Sequence, residues 1–258
     1  MSTTSRTQGS LYTKIDQGIA YLEFGHPASN SFPSQLLDRL ATQLGEVGQN
    51  PAVKIVVLRS EGPKAFCAGA SFDELLAISN PQEGTAFFSG FARVLQAMRA
   101  CPQPVVGRVQ GKAVGGGVGL IAACDYVFAT EGASVKLSEI AIGIAPLVIA
   151  PAVQRKVGAA GMATLSLDPK HWQNAYWAKD HGLYQRVFES ISDMDEALDT
   201  YLSELNSFSG EALKRLKQAL WHDTEAWDPL MFERASQSGQ LALGEEARKA
   251  LEGFRKKD

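Results

Sequence analysis

The sequence predicts an α/β fold that ends in a helical subdomain, and three observations carry that expectation. Short strand-forming runs alternate with segments whose apolar residues recur every three or four positions. One of those runs is continuously apolar, and from Ser192 onward only the helical period remains. Alternating strand and helix is the pattern of crossover-connected parallel sheets, and a continuously apolar strand needs cover on both faces.

Taken in order, Leu11 to Ile15 and Ile19 to Phe24 are rich in strand formers, and Asp16-Gln17-Gly18 between them reads as a hairpin turn. The preceding residues, 1–10, are polar, lack the apolar stretch of a signal peptide, and are expected to form a disordered leader. After Pro33, the spacing of Leu36, Leu37, Leu40, Leu44 and Val47 predicts a helix that ends near Asn50-Pro51. Val53 to Leu58 is the continuously apolar strand. Phe87, Phe91, Leu95 and Met98 then mark one face of a second helix, which stops before Pro102. Strands over Pro104 to Val109 and Tyr126 to Ala129 flank a glycine-rich segment. An α/β core over residues 11–190 follows.

Residues 191–258 are expected to be helical, on the spacing of Met194, Leu198, Tyr201, Leu202 and Leu205, then Leu213, Leu216 and Leu220. Trp221, Trp227, Met231 and Phe232 need a surface to cover them. Either this chain's own core or a neighbouring subunit would serve.

Composition removes several function classes. The 258 residues carry 25 Lys plus Arg against 28 Asp plus Glu, a net charge of −3, so there is no cationic surplus to displace counterions from nucleic acid. No stretch approaches the roughly 18 to 20 apolar residues of a membrane span. Cys67, Cys101 and Cys124 are odd in number and form no CxxC pair, which suggests neither a disulfide framework nor a zinc knuckle and points to a reducing, cytoplasmic setting. His26, His171, His181 and His222 have no metal-ligand spacing and read as structural or surface residues.

Three segments could carry chemistry. Lys64 to Ser71 follows a buried strand, and its small residues around Gly69 either turn the chain tightly or leave N–H groups open to a ligand. Gly111 to Leu120 precedes an apolar helical stretch. It fails the dinucleotide fingerprint at Leu120 and the phosphate loop at Val106 and Ala113. What remains is a glycine-lined helix start for some other oxyanion, or close helix–strand packing. Glu139 is a lone carboxylate among apolar neighbours. It is either solvated or, if buried, raised into a useful acid/base range.

Together and in this order, the segments resemble the enoyl-CoA hydratase/isomerase (crotonase) superfamily. The likeness runs through the opening hairpin, His26-Pro27-Ala28-Ser29-Asn30, Phe66 to Ala70, Gly111 to Gly117, Cys124-Asp125, Leu137-Ser138-Glu139 and Ala175 to Leu183. It implies a crotonase-like spiral of strand-strand-helix turns with a C-terminal helical subdomain that assembles homotrimers or homohexamers. It also implies an acyl-CoA substrate whose thioester carbonyl is held by the backbone N–H groups of Ala70 and Gly116, with Glu139 as proton carrier. The substrate-binding positions it implies are Ala28, Ser29, Asn30, Ala68, Ser71, Phe72, Val114, Gly115, Gly117, Gly119 and Leu147. No metal or redox cofactor is implied, because CoA is part of the substrate, and neither nucleic acid nor membrane is expected as a partner.

The departures from the family pattern bear on the reaction. Gly119 stands where hydratases of the family carry a second, water-activating glutamate, Ser71 replaces an aspartate, and Leu147 follows Pro146 in place of glycine. A single carboxylate suits double-bond isomerisation, which is the favoured expectation. Hydration, using Glu74 or Glu139 alone, and a CoA-binding protein without catalysis are the rivals. Phe254 and Lys257 resemble residues that meet the CoA nucleotide from an adjacent subunit. A peptidase of related fold would need a GxSxG elbow, and none of the three segments has one.

Overall fold

The computed structural model describes residues 8–255. In it β1 (Ser10–Asp16) pairs antiparallel with β2 (Ile19–Gly25), Ser10 opposite Gly25 and Asp16 opposite Ile19. Gln17 at φ 47° and Gly18 at φ 86° make the left-handed turn that matches the twist of the two strands. Ordered structure starts within the expected leader, since Ser10 already lies in β1 and Gly9 is buried, while residues 1–7 lie outside the described residues.

Next, α1 (Ser34–Gln49) buries the five apolar residues that predicted it. β3 (Ile55–Ser60) begins two residues later than the apolar run, because the Lys54 N–H turns to the Gly18 carbonyl of the hairpin at 2.7 Å and the ladder with β2 opens at Ile55 opposite Ile19. Then come α2 (Phe72–Ala77), α3 (Pro81–Ala100), β4 (Val105–Val109), β5 (Ala113–Val114), α4 (Gly116–Ala123), β6 (Tyr126–Thr130) and β7 (Val135–Lys136). A 3₁₀ turn over Glu139–Ile142 leads to α5 (Ala150–Leu167), α6 (Ala175–Asp180) and β8 (Arg186–Phe188). The strands order as β1-β2-β3-β4-β6-β8, with every pair after the first parallel. β5 and β7 form a separate parallel pair.

Both faces of the large sheet are covered, as the continuous apolar run requires. Leu22, Val56, Leu58 and Val105 face the core shared with α1, α3 and α4. Ile55, Val57, Val106 and Phe128 face Met194, Leu198 and Leu202 of α7 (Ile191–Ser207). In α8 (Gly210–Leu220) only Leu213 of the three predicted leucines is buried. Leu216 and Leu220 are exposed, and the residue buried with Leu213 is Lys217.

Lys217 fixes α8 to the core. Its ammonium is 2.6 Å from the Asp125 carboxylate and 3.0 Å from the Met98 carbonyl, with both charged side chains almost fully buried. Trp221 donates to Asp125 at 2.6 Å, so Trp221 and Met231 are covered by this chain's own core, while Phe232 stays exposed. Beyond them α9 (Trp227–Ala242) lies so close to α3 that a Cβ on Gly84 would be 2.8 Å from Gly239 Cα. Finally α10 (Glu245–Arg255) packs Ala247 and Leu251 with Ile144, Leu75 and Phe87, roofing the segment that follows the 3₁₀ turn.

Candidate active site

The small β5-β7 pair positions the site. Phe66 and Cys67 donate to the Lys112 carbonyl, and Val114 donates to the Cys67 carbonyl at 2.9 Å, so residues 66–71 run alongside residues 112–116. On the other edge the Phe32 N–H bonds Gly69 and the Ser71 N–H bonds Phe32, at 2.8 and 2.9 Å. Between these bonds the N–H of Ala70 has no backbone partner among the described residues, and neither has the N–H of Gly116. Both residues line one cavity of about 610 Å³.

Gly115 makes the turn between β5 and α4 at φ 54° and ψ −120°, a conformation open to glycine and strained for other residues. With no side chain to cap it, α4 presents unpaired N–H groups and a partial positive charge where it meets the cavity.

Glu139 lines the same cavity beside the start of α4. Its Oε1 lies against Gly115, where an added Cβ would sit only 2.8 Å away, and its Oε2 is sealed from solvent without a hydrogen-bond partner among the described residues. Burial raises the carboxyl from 4.5 to about 7, against the smaller opposing pull of backbone groups at Glu139 and Ser138. An acid poised there can take and return a proton near neutral pH. The remaining wall is mostly apolar: Phe72, Leu75, Phe87 and Phe91 on one side, Ile144 and Leu147 on another, with Ser238 reaching in from α9. The described residues include no group of three or more His, Cys, Asp or Glu that could hold a metal ion.

Residues 14–257 match the enoyl-CoA hydratase/isomerase family model. The chain belongs to the enoyl-CoA hydratase/isomerase family. It is 26% identical, over 85% of its length and 83% of the relative's, to the peroxisomal Delta(3,5)-Delta(2,4)-dienoyl-CoA isomerase of Arabidopsis thaliana. It is 32% identical to the ethylmalonyl-CoA decarboxylase of Xenopus tropicalis over 54% of this chain and 47% of that one, so it spans about half the length of that relative. The crystal structure of an enoyl-CoA hydratase from Bacillus halodurans superposes with a TM-score of 0.88, covering 94% of this chain and 99% of the other, at 20% identity. The spiral α/β fold expected from the sequence is thereby the fold of this chain, and family enzymes of this kind act on acyl-CoA.

Against that family frame the expected site residues divide into two groups. Ala68, Ala70, Phe72, Val114, Gly115, Gly116, Glu139 and Leu147 line the cavity. The others are placed elsewhere. Ala28 and Ser29 are exposed in their turn, outside the cavity wall, and Asn30 is spent on scaffolding: it accepts from the His26 N–H and donates to the Glu61 and Ala65 carbonyls at 2.9 Å. Ser71 caps α2 by accepting from the Glu74 N–H. Gly117 packs on Cys67, and Gly119 packs on Ile149, whose Cγ2 would be 2.5 Å from an added Cβ.

Glu74, the reserve water-activating group, points away from the cavity. Its carboxylate accepts from the Ser34 N–H and hydroxyl at 2.9 and 2.5 Å, at the start of α1. Lys257 and the side chain of Phe254 lie outside the described residues. Residues the sequence reading missed include Leu75, Phe88, Ser238 and the lysines Lys136 and Lys170. Phe88 had a visible signal, since it sits beside Phe87 and breaks the one-face period of α3. Ser238 had none, because only the return of α9 brings it to the cavity.

Proposed function

We propose that the protein isomerises enoyl-CoA thioesters, moving a double bond from the 3,4 to the 2,3 position of the acyl chain. The thioester oxygen is held by the N–H groups of Ala70 and Gly116. Glu139 as carboxylate removes a proton from C2, and the C–H electrons spread through the double bond onto the thioester oxygen as a dienolate. Glu139 then returns that proton to C4, the double bond settles between C2 and C3, and the carboxylate is regenerated. No water is consumed.

Each preorganised donor at such an oxygen is worth about 3 to 4 kcal/mol in the transition state, and the open start of α4 adds its dipole. The observation that carries the reading is at Gly119. Hydration needs a second acid/base group to flank a water, and there the backbone is covered by Ile149 with no room for even a methyl. Glu139 is left as the carboxylate of the cavity wall. The name of the Arabidopsis relative, an isomerase, supports the same choice.

The test is to supply 3-enoyl-CoA and 2-enoyl-CoA separately and follow the absorbance of the conjugated thioester. Isomerisation makes it grow from the 3-enoyl compound and leaves the 2-enoyl compound without water addition. Rapid loss of absorbance from the 2-enoyl compound would overturn the proposal in favour of hydration.

A further inference from the structure

We propose that Lys112, Lys136 and Trp172 form an anion-recognition subsite at the rim of the cavity, which holds a second negative group carried by the thioester ligand. The inference rests on the acyl-CoA reading above and adds a charge requirement to it.

The Trp172 ring is partly exposed and lies under two ammonium groups, Lys112 at 4.8 Å and Lys136 at 4.6 Å from its centroid. Neither lysine forms an ion pair with a described carboxylate, nor does Lys170, two residues from Trp172. Two like charges gathered on one ring repel, and the ring's quadrupole offsets only part of that. An anion between them would complete the balance.

The cluster is also built by the backbone. The Lys112 carbonyl accepts from Phe66 and Cys67, Lys136 belongs to β7 opposite Val114, and Val135 and Gln173 exchange both N–H···O bonds at 2.8 and 2.9 Å. Trp172 is therefore held beside the strand that carries Lys136. Lys136 and Lys170 both contribute to the cavity wall, and the Lys136 carbonyl accepts from the N–H of Gly115, next to the proposed oxygen-binding amide. The cationic group is thus tied to the segment proposed to do the chemistry. The anion has two sources in an acyl-CoA: a phosphate of the CoA, or a carboxylate at the far end of a dicarboxylic acyl group.

Calorimetric titration of the wild type and of the Lys112→Gln/Lys136→Gln double variant with pentanoyl-CoA, glutaryl-CoA and pentanoyl-pantetheine separates these sources. The variant should bind at least one of the CoA thioesters about tenfold more weakly and bind the phosphate-free pentanoyl-pantetheine as before, which also shows that it is folded. Equal weakening toward both CoA thioesters assigns the subsite to phosphate, and weakening confined to glutaryl-CoA assigns it to an acyl carboxylate. The Lys112→Arg/Lys136→Arg variant should retain the affinity. Unchanged binding of all three ligands overturns the subsite and leaves the acyl-CoA reading standing, whereas a wild type that binds none of them overturns both.

Discussion

Asp125 and Glu139 are both carboxylates withdrawn from water, and they are treated in opposite ways. Asp125 accepts from the Lys217 ammonium, the Trp221 indole and the Val105 N–H, at 2.6, 2.6 and 2.7 Å. Glu139 has one oxygen without a partner among the described residues and is raised to about 7. A buried charge with both oxygens engaged holds elements together and is not free to exchange a proton with a ligand. A buried carboxyl left short of partners is costly to ionise and therefore available to a substrate proton. In this chain the first fastens the C-terminal helices to the sheet, and the second faces the cavity.

The contrast can be broken most sharply at Glu139. Glu139→Gln keeps the shape and removes the exchangeable charge, so kcat for the proposed isomerisation should fall by about 10² to 10⁴ while acyl-CoA affinity stays within a few-fold. Steady-state kinetics with titration of a saturated acyl-CoA checks both halves. An equivalent loss of activity from Asp125 substitutions in fully folded protein would contradict the division of roles.

At the other carboxylate the effect should be on stability. Lys217→Met leaves Asp125 buried without its cation and should cost about 3 to 5 kcal/mol in denaturant unfolding. Replacing both partners with apolar residues of similar volume should recover much of that loss, because the desolvation of the pair disappears with it.

The pH dependence of stability sharpens the comparison from Glu139's side. Its carboxyl in the folded chain lies above its unfolded value of 4.5, so the native state binds more protons between 4.5 and about 7. Stability is then lost as pH rises through that window, by up to about 3 kcal/mol, and is level above it. Glu139→Gln should remove this contribution and unfold at higher denaturant than the wild type at pH 8, a difference that should vanish at pH 4.

The smallest effect expected is at Gly119. Gly119→Ala should destabilise by about 1 to 3 kcal/mol through overpacking against Ile149, and Ile149→Ala in the same chain should relieve much of that cost. Additive losses would mean that the two residues do not share the space.

Much of this was legible in the sequence where the signal is local. The hairpin at Gln17-Gly18, the apolar stripe of α1 and the two-sided burial of β3 follow from period and turn chemistry, and the family likeness brought Ala70, Gly116 and Glu139 to one cavity. What could not be read depends on where distant segments land. Asn30 and Ser71 fall among the site segments only by position in the chain; their side chains are used up on backbone groups of nearby residues. Ile149 over Gly119, Ser238 from α9 and the Trp172 cluster are products of packing between segments far apart in sequence. Glu74 is the clearest case, since a carboxylate four residues past Ala70 turns to the start of α1 instead of the cavity.

The most direct test of the contrast is to watch the Glu139 carboxyl titrate, by carbon-13 NMR of protein labelled at the glutamate carboxyl, with Glu139→Gln to assign its signal. One resonance with a midpoint near 7 that disappears in the variant is the expected result. A Glu139 resonance that titrates at the ordinary glutamate value of 4.5 would show a solvated or fully partnered carboxylate and would contradict the account.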